Sequence, residues 1–372
     1  MSSQDVEYLR QANDGTPEYG EVVLNSFRKL QYRVSVYADP PKHGSGIRLA
    51  VYQSQADCGD GAVEKNMQRL EEAVRHAKKF DAQLLSFPEL YLPGYTLDPE
   101  SGRAVAETND APRIAHARDV AKENGMGLLV PYAEKSAGSE GKTCVYDSIA
   151  VINEEGELLD SYRKTHLYAQ QERDNWDFGE SDYPVHRIHG FPVGVLNCYE
   201  CEFPELVRIL ALKGAKLIVG PTAADRYYRM PNGERSKVPY PDVSRVLFPA
   251  HACANNLFFA YSNRCGYEAR SGDVWHYRGN SIVCGPHGDV IVAANHEQDT
   301  LLVADCVPAY YGRTHPEPGY FYLQDRRPEL YGQLVSPEAR FVDIANRELD
   351  EDSDLFAGVS RYPVTGEGGE TE

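Results

Sequence analysis

Long apolar runs are absent from the 372-residue sequence. No segment approaches the roughly 20 consecutive apolar residues that a membrane-spanning helix needs, so no membrane association is predicted. The first residues are polar and lack the basic stretch and apolar centre of a secretory signal peptide. We therefore expect a cytoplasmic protein, and an apolar fraction of 42% is sufficient for a well-buried core.

An excess of positive charge is absent as well: 38 Lys and Arg residues compare with 56 Asp and Glu residues, and the formal net charge is −18. A surface of this charge repels phosphate groups, so nucleic acid is not an expected partner. Part of the negative charge is local, because residues 338–372 contain ten acidic residues and three arginines. We interpret this segment as a solvated acidic tail.

A second close pair of cysteines is also missing. The eight cysteines are scattered, and only Cys198 and Cys201 have the Cys-x-x-Cys spacing. A zinc ribbon needs two such pairs, so the sequence does not favour a metal site. A redox role for the pair is the alternative. An even number of cysteines without a secretion signal indicates reduced thiols in the cytoplasm.

The chain divides at a Pro/Gly-rich stretch, residues 39–46. We expect an N-terminal extension (1–45), one domain (46–335) and the acidic tail (336–372). Inside the domain, helical periodicity alternates with short apolar strands, and two Gly-containing turns indicate hairpins. This alternation predicts an α/β fold in which helices cover one or two mixed sheets.

Cys198 follows the apolar run of residues 192–197, and a helical pattern begins just beyond it. Peptide N–H groups and the positive end of a helix at such a position favour the thiolate over the thiol. A single buried cysteine is more often an inert apolar side chain, so this position alone does not establish a nucleophile.

Two charged motifs at the ends of upstream strands strengthen the case. Glu89 closes the sequence Phe-Pro-Glu, and Lys164 lies within Tyr-Arg-Lys-Thr-His-Leu at residues 162–167. A cysteine nucleophile needs a base and a group that stabilises the developing oxyanion. Strand ends in α/β proteins converge on one crevice, so we expect Glu89, Lys164 and Cys198 to meet there.

These three blocks, the third being residues 197–205, resemble the signature blocks of the nitrilase, or carbon–nitrogen hydrolase, superfamily. The resemblance covers about residues 47–332. It implies a four-layer α-β-β-α sandwich with two mixed sheets, no cofactor and no metal, and a homodimer or a larger homo-oligomer.

The resemblance also implies roles. Cys198 would attack a carbonyl carbon and form a thioester, while Glu89 would transfer protons between thiol, leaving ammonia and water. Lys164 and the backbone N–H of Tyr199 would stabilise the oxyanion. A second glutamate would orient Lys164 and the substrate, and this role is assigned to Glu134, with Glu140 as the competing position.

Two neighbours of Lys164 have other interpretations. His166 is expected to be structural rather than the partner of a Cys–His dyad. Glu172 resembles a family position near the site, with a structural ion pair as the equal alternative.

The residue after the nucleophile helps to choose the chemistry. Tyr199, followed by Phe-Pro-Glu at residues 203–205, resembles the amidase side of the superfamily, where true nitrilases have tryptophan. A small amide is therefore the favoured substrate, and nitrile or N-carbamoyl amide hydrolysis are the alternatives. A binding module without turnover is the alternative from another class.

Candidate substrate-binding residues lie on a long connection after Ala223 and near the second block. Arg226, Tyr227 and Tyr228 would recognise an aromatic or acidic group, and Trp176 would form an apolar wall. Packing of Trp176 in the core, and no substrate role for the connection, are equal alternatives.

Overall fold

The computed structural model describes residues 20–24, 30–59, 61–138, 142–227, 236–237, 239, 241–270, 273–312, 315, 317 and 319–336. For residues 20–24, 269, 270 and 273 it describes the backbone alone. Glu140, Tyr228 and the acidic tail beyond residue 336 lie outside these residues.

Sheet 1 has eight strands in the order β1-β2-β16-β3-β4-β5-β6-β7. Their bounds are β1 Gly20–Leu24, β2 Leu30–Ser35, β3 Ile47–Gln53, β4 Leu84–Ser86, β5 Gly127–Ala137, β6 Thr143–Ile152, β7 Leu158–Arg163 and β16 Thr300–Cys306. Parallel and antiparallel pairs both occur, since β3 pairs in parallel with β4 and antiparallel with β16. Sheet 1 is therefore mixed, as predicted.

Sheet 2 has six strands in the order β15-β14-β11-β10-β9-β8, and it is also mixed. Its strands are β8 Val185–Ile188, β9 Phe191–Val195, β10 Leu217–Thr222, β11 Phe258–Asn263, β14 Ile282–Cys284 and β15 Val290–Ala293. A separate hairpin is formed by β12 Tyr267–Arg270 and β13 Asp273–His276.

Six α-helices are found among the described residues: α1 Ala62–Lys78, α2 Pro99–Val105, α3 Pro112–Asn124, α4 Ala169–Asn175, α5 Pro204–Leu212 and α6 Leu247–Asn255. In α1, the buried side chains recur every three or four residues, as its sequence predicts: Val63, Met67, Leu70, Val74 and Ala77. None of the described helices is both long enough and apolar enough to cross a membrane.

Three apolar clusters define the layers. One cluster lies between the sheets and contains side chains such as Leu49 of β3 and Val193 of β9. A second packs α1 and α3 against the outer face of sheet 1. A third packs α5 and α6 against the outer face of sheet 2, with Phe248 stacked on Phe259 at 4.9 Å between ring centroids. This arrangement is the predicted four-layer α-β-β-α sandwich.

The N-terminal segment takes part in sheet 1. Strand β2 pairs in parallel with β16, with Gln31 opposite Thr300, and β1 pairs antiparallel with β2. Residues 1–45 were expected to form an extension, and no strand was predicted there. The two strands cover the edge that β16 would otherwise present.

The ends of several strands from both sheets meet on one side of the sandwich. Ser54, just after β3, forms a parallel bridge with Arg264, just after β11. The backbone N–H of Glu89, three residues after β4, donates to the carbonyl oxygen of Thr222 at the end of β10, with an N···O distance of 3.3 Å. This junction brings the predicted site residues into one region.

A buried ion pair connects β3 to β16 in the interior of sheet 1 and also holds backbone segments beside that sheet. Arg48, on β3, donates from Nε to Asp305 Oδ1 of β16 at 2.7 Å and from Nη2 to Asp305 Oδ2 at 2.9 Å. Its guanidinium also donates to the carbonyl oxygens of Tyr37 and Phe80. Both charged side chains are 1% exposed, so neither has water as a substitute partner.

We expect Arg48→Met to lower the free energy of unfolding by about 3–5 kcal/mol, because Asp305 would be left buried without its partner. Urea denaturation measures this change. The control is Arg187→Met on β8. Its exposed guanidinium donates to the nearby carbonyl oxygen of Gly190, and the substitution should cost under about 1 kcal/mol. Equal losses of unfolding free energy for the two variants would show that the buried ion pair of Arg48 and Asp305 does not have this stabilising role.

Candidate active site

Cys198 lies at a sharp turn between a strand and a helix. It follows β9 by three residues and begins a short 3-10 helix, Cys198–Glu202. Its φ of +52° is in the left-handed region that non-glycine residues seldom adopt. The first N–H groups of a helix have no intrahelical acceptor, so the N–H of Tyr199 is available for the predicted oxyanion role.

Glu200 holds this turn in place. Its carboxylate accepts hydrogen bonds from the backbone N–H of Asn197 at 2.7 Å, from the Tyr162 hydroxyl at 2.7 Å and from the backbone N–H of Thr165 at 2.6 Å. Tyr162 and Thr165 flank Lys164 on the chain. The fully buried Glu200 therefore connects the segment carrying the thiol to the segment carrying the lysine.

The turn that carries Glu89 is held from sheet 2. Arg264, fully buried after β11, donates to the carbonyl oxygen of Glu89 from Nε at 3.0 Å and from Nη2 at 2.8 Å. It also donates to the carbonyl oxygen of Leu90, which has a φ of +45°. Its Nη1 forms an ion pair with Glu268 at 2.5 Å. Glu89 is therefore fixed by an arginine from the opposite sheet.

Lys164 follows β7 directly, and its ammonium lies among buried carboxylates. Lys164 Nζ is 2.5 Å from Glu89 Oε1 and 2.8 Å from the Glu172 carboxylate. Burial by itself lowers the pKa of Lys164, but the charges of Glu172 and Glu89 outweigh it and raise that pKa well above the usual value. The lysine is consequently protonated at neutral pH.

Asp147, on β6, is the third carboxylate of this group. One carboxylate oxygen from each of Glu89, Asp147 and Glu172 lies within 4.8 Å of the others, a separation that would suit a metal ion. Lys164 Nζ occupies hydrogen-bond positions on two of them and is 3.7 Å from Asp147 Oδ2. The protein itself therefore supplies the positive charge that these carboxylates attract.

The protonation state of Cys198 differs from the sequence-based expectation of a thiolate. Burial raises the pKa of the thiol well above its usual value, Glu89 raises it further, and Lys164 opposes this shift. The peptide N–H groups of one short 3-10 turn do not offset the burial. The thiol is therefore protonated in the free protein and needs a base.

The structure corrects the assignment of Glu134. Its buried carboxylate accepts hydrogen bonds from Arg163 Nη2 at 2.6 Å and Nε at 3.1 Å, and from the hydroxyls of Ser148 and Ser161, both at 2.8 Å. Successive residues of a strand point to opposite faces, so Arg163 reaches Glu134 while Lys164 does not.

The second carboxylate in contact with Lys164, beside that of Glu89, is Glu172 of α4, for which the sequence left a position near the site and a structural ion pair equally open. Glu172 is itself fixed, because it accepts hydrogen bonds from the hydroxyl of Tyr95 at 2.6 Å and from the backbone N–H of Tyr168 at 2.6 Å. Burial raises the pKa of Glu172, and Lys164 opposes that shift. The signal for Glu172 in the sequence was its likeness to a family position near the site, eight residues after Lys164.

The remaining candidates are less closely tied to this group. Trp176, 4% exposed, belongs to an apolar cluster with Tyr95 and Tyr277, which is a packing environment. Arg226 Nη1 lies 3.7 Å from Glu297, and the Tyr227 ring is 5.6 Å from that of His276. Contact of these side chains with a substrate remains a prediction.

Two residues have their own packing roles beside the nucleophile. The His166 ring packs on Phe203 at 4.7 Å between centroids, and its Nδ1 lies 2.7 Å from the Thr165 hydroxyl. Cys201 is fully buried in the outer cluster of sheet 2, and its sulfur occupies the space that a Cβ at Gly220 would need. Cys201 thus packs as a small apolar side chain.

Sequence reasoning missed Asp147, Tyr95 and Arg264. Arg264 belongs to a block that resembles the family, but no pattern linked it to Glu89, which is 175 positions away in the chain. Asp147 and Tyr95 carry no local signal, because only the packing of β6 and the turn after β4 places them beside Lys164 and Glu172.

Comparison with known proteins is consistent with this geometry. The model of the carbon–nitrogen hydrolase family matches residues 48–316. A protein described as hydrolase in pqqF 5'region, from Pseudomonas protegens, is 34% identical over 288 residues, which are 77% of this chain and 92% of that protein. Citrullinase from Francisella tularensis is 30% identical over 297 residues, covering 78% of this chain and 99% of that protein.

Solved structures include similar folds. One is a mutant of the amidase from Nesterenkonia sp. AN1 with the acetamide moiety of fluoroacetamide covalently added at its active-site cysteine. It is 29% identical, covers 79% of this chain and 98% of that chain, and has a TM-score of 0.59. Together with the match over residues 48–316, these likenesses show that the chain belongs to the carbon–nitrogen hydrolase (nitrilase) superfamily and is an enzyme of its amidase-like branch.

Proposed function

We propose that this enzyme hydrolyses the carbon–nitrogen bond of a small amide, giving an acid and ammonia through a thioester on Cys198. The observation that carries the proposal is the buried Lys164 ammonium, held between the carboxylates of Glu89 and Glu172. A structural scaffold has no need for such a group at strand ends, whereas acyl transfer needs a base and a positive charge beside its nucleophile.

In the first half-reaction Glu89 accepts the thiol proton as Cys198 Sγ attacks the amide carbon. The amide oxygen becomes an oxyanion, which Lys164 Nζ and the N–H of Tyr199 stabilise. Collapse of the tetrahedral intermediate breaks the carbon–nitrogen bond, and Glu89 returns its proton to the leaving ammonia. The acyl group remains on the sulfur as a thioester.

In the second half-reaction Glu89 removes a proton from water, which attacks the thioester carbon. Lys164 again stabilises the oxyanion, and the thiolate leaves and is reprotonated by Glu89. Glu172 remains ionised beside Lys164 throughout, so that the lysine keeps its proton and its position. This role belongs to Glu172 rather than to Glu134, whose carboxylate contacts Arg163.

The choice of an amide is supported by Tyr199 after the nucleophile and by the amidase from Nesterenkonia sp. AN1. The first alternative is an N-carbamoyl amide. It is favoured by the likeness to citrullinase, which by that name acts on citrulline, a compound with a terminal ureido group. A nitrile is the second alternative, and both would use the same thioester chemistry.

The proposal extends to the working form of the enzyme, a cytoplasmic homodimer or larger homo-oligomer. Apolar side chains that are exposed in the single chain support the association of copies of this chain. Ile209 and Leu212 of α5 are 36% and 47% exposed, and Leu334 is 65% exposed.

Ammonia release from a panel of short aliphatic and aromatic amides, ureido compounds and nitriles tests the reaction. We expect the amides to be the best substrates and Cys198→Ala to lower kcat/KM by at least about 10⁴-fold, because the acyl acceptor is lost. Cys201→Ala is the matched control, since it removes a neighbouring thiol that only packs. Turnover by Cys198→Ala close to that of the wild type would refute the assignment of Cys198 as the nucleophile.

A paired substitution separates the two glutamates. We expect Glu172→Gln to lower kcat/KM by about 10²–10³-fold, because Lys164 loses one of the charges that keep it protonated and oriented. Glu134→Gln removes an equally buried carboxylate from Arg163 and should change kcat/KM by less than about tenfold. Steady-state kinetics with the best amide provides both values, and a larger loss for Glu134→Gln would reverse the assignment.

The raised pKa of Cys198 predicts how the free enzyme reacts with iodoacetamide. The thiolate is the reactive form, so a raised pKa keeps the alkylation rate at neutral pH below that of a free thiol. The rate of Cys198 modification, followed by peptide mass spectrometry, should continue to rise above pH 9. A rate that reaches its plateau below pH 8 would mean that the thiolate is already present in the free enzyme.

A further inference from the structure

Asp147 contacts each of the three segments that carry the proposed catalytic residues. Its carbonyl oxygen accepts the backbone N–H of Lys164 at 2.9 Å. Its carboxylate Oδ1 accepts Asn197 Nδ2, next to the nucleophile, at 2.9 Å. One of its carboxylate oxygens lies within 4.8 Å of a carboxylate oxygen of Glu89. The residue is 1% exposed, so water does not replace these partners.

Each of these two carboxylates has one oxygen without a hydrogen-bond donor in the described part of the chain. These oxygens are Glu89 Oε2 and Asp147 Oδ2, and both are buried. Ionised carboxylates only accept hydrogen bonds, so these oxygens do not satisfy each other while both groups are charged. A buried carboxylate oxygen without a donor is costly. One proton between them would provide both with a partner.

The surrounding charges favour that proton. Asp147 faces Glu89 from the turn after β4, Lys164 from the end of β7 and Glu172 from α4. The Cys198 thiol and the Tyr95 hydroxyl lie near Glu89 and Glu172. One ammonium is thus shared by three carboxylates. Burial, and then the charge of Glu89, raise the pKa of Asp147 well above its usual value, while Lys164 opposes the shift less strongly.

We propose that Asp147 is a positioning residue that keeps its proton at neutral pH, donates a hydrogen bond to Glu89 Oε2 and accepts one from Asn197 Nδ2. This bridge holds the base in a fixed position relative to the segment that carries the thiol. It also leaves Lys164 paired with the two ionised carboxylates, Glu89 and Glu172. The inference rests on the proposed function, because Glu89 is the base of that reaction.

Asparagine at position 147 is the conservative replacement for a neutral aspartic acid. Its amide N–H₂ can donate to Glu89 and its carbonyl oxygen can accept from Asn197. We expect Asp147→Asn to keep kcat/KM within about threefold of the wild type, with the acid limb of the pH profile in the same place. An ionised Asp147 would place a second negative charge beside the base, and its removal would move that limb to lower pH by about one unit or more, which would overturn the proposal.

Leucine at the same position has a similar shape but makes neither hydrogen bond. We expect Asp147→Leu to lower kcat by about 10–100-fold with little change in KM, because the base loses its fixed position while substrate binding is retained. A kcat equal to that of the wild type would overturn the proposal. If Asp147→Leu does not fold, the pH profile of Asp147→Asn decides alone.

Infrared difference spectra between the wild type and Asp147→Asn at neutral pH provide a readout without turnover. The proposal requires the carbonyl stretch of a protonated carboxyl group in the wild type that disappears in the variant. If that band is present while no amide is hydrolysed, the proposed function fails and the protonated Asp147 stands. If the band is absent, Asp147 is ionised and the positioning proposal fails, whatever the activity.

Discussion

The buried ammonium of Lys164 is the interaction on which the site depends. A lysine far from water is stable only beside opposite charges, and Glu89 and Glu172 supply them within 2.8 Å. The carboxylates need the ammonium just as much, since burial disfavours their ionised forms. Hydrogen bonds from Tyr95 and the backbone of Tyr168 to Glu172, and the contacts of Arg264 around Glu89, keep this group together.

Much of the fold was predictable, because periodicity and turn residues are local signals. The helix α1, the hairpin of β6 and β7 and the strand before Cys198 all followed from spacing alone. The four layers came from the family resemblance and not from periodicity. The strands β1 and β2 were missed, because their place beside β16 depends on pairing across the length of the chain.

The site was predictable to a lesser extent. Glu89, Lys164 and Cys198 lie within motifs, and Glu172 was expected either near the site or in a structural ion pair. Glu134 was misplaced because the face of a strand on which a side chain lies depends on the exact register, and a shift of one residue reverses the faces. The thiolate expectation failed for another reason: local N–H groups can be inferred from sequence, whereas the extent of burial cannot.

The proposed base and the proposed nucleophile are carried by different sheets. Glu89 follows β4 of sheet 1 and Cys198 follows β9 of sheet 2, with the inner apolar cluster between them. The thickness of that layer therefore sets the distance between Cys198 and Glu89, across which the thiol proton is proposed to move. The volumes of apolar side chains in this layer, such as Leu49 and Val193, therefore help to set the distance between the two groups. Substitutions in the apolar interior can change that distance, so the proposed activity constrains the evolution of these residues as well.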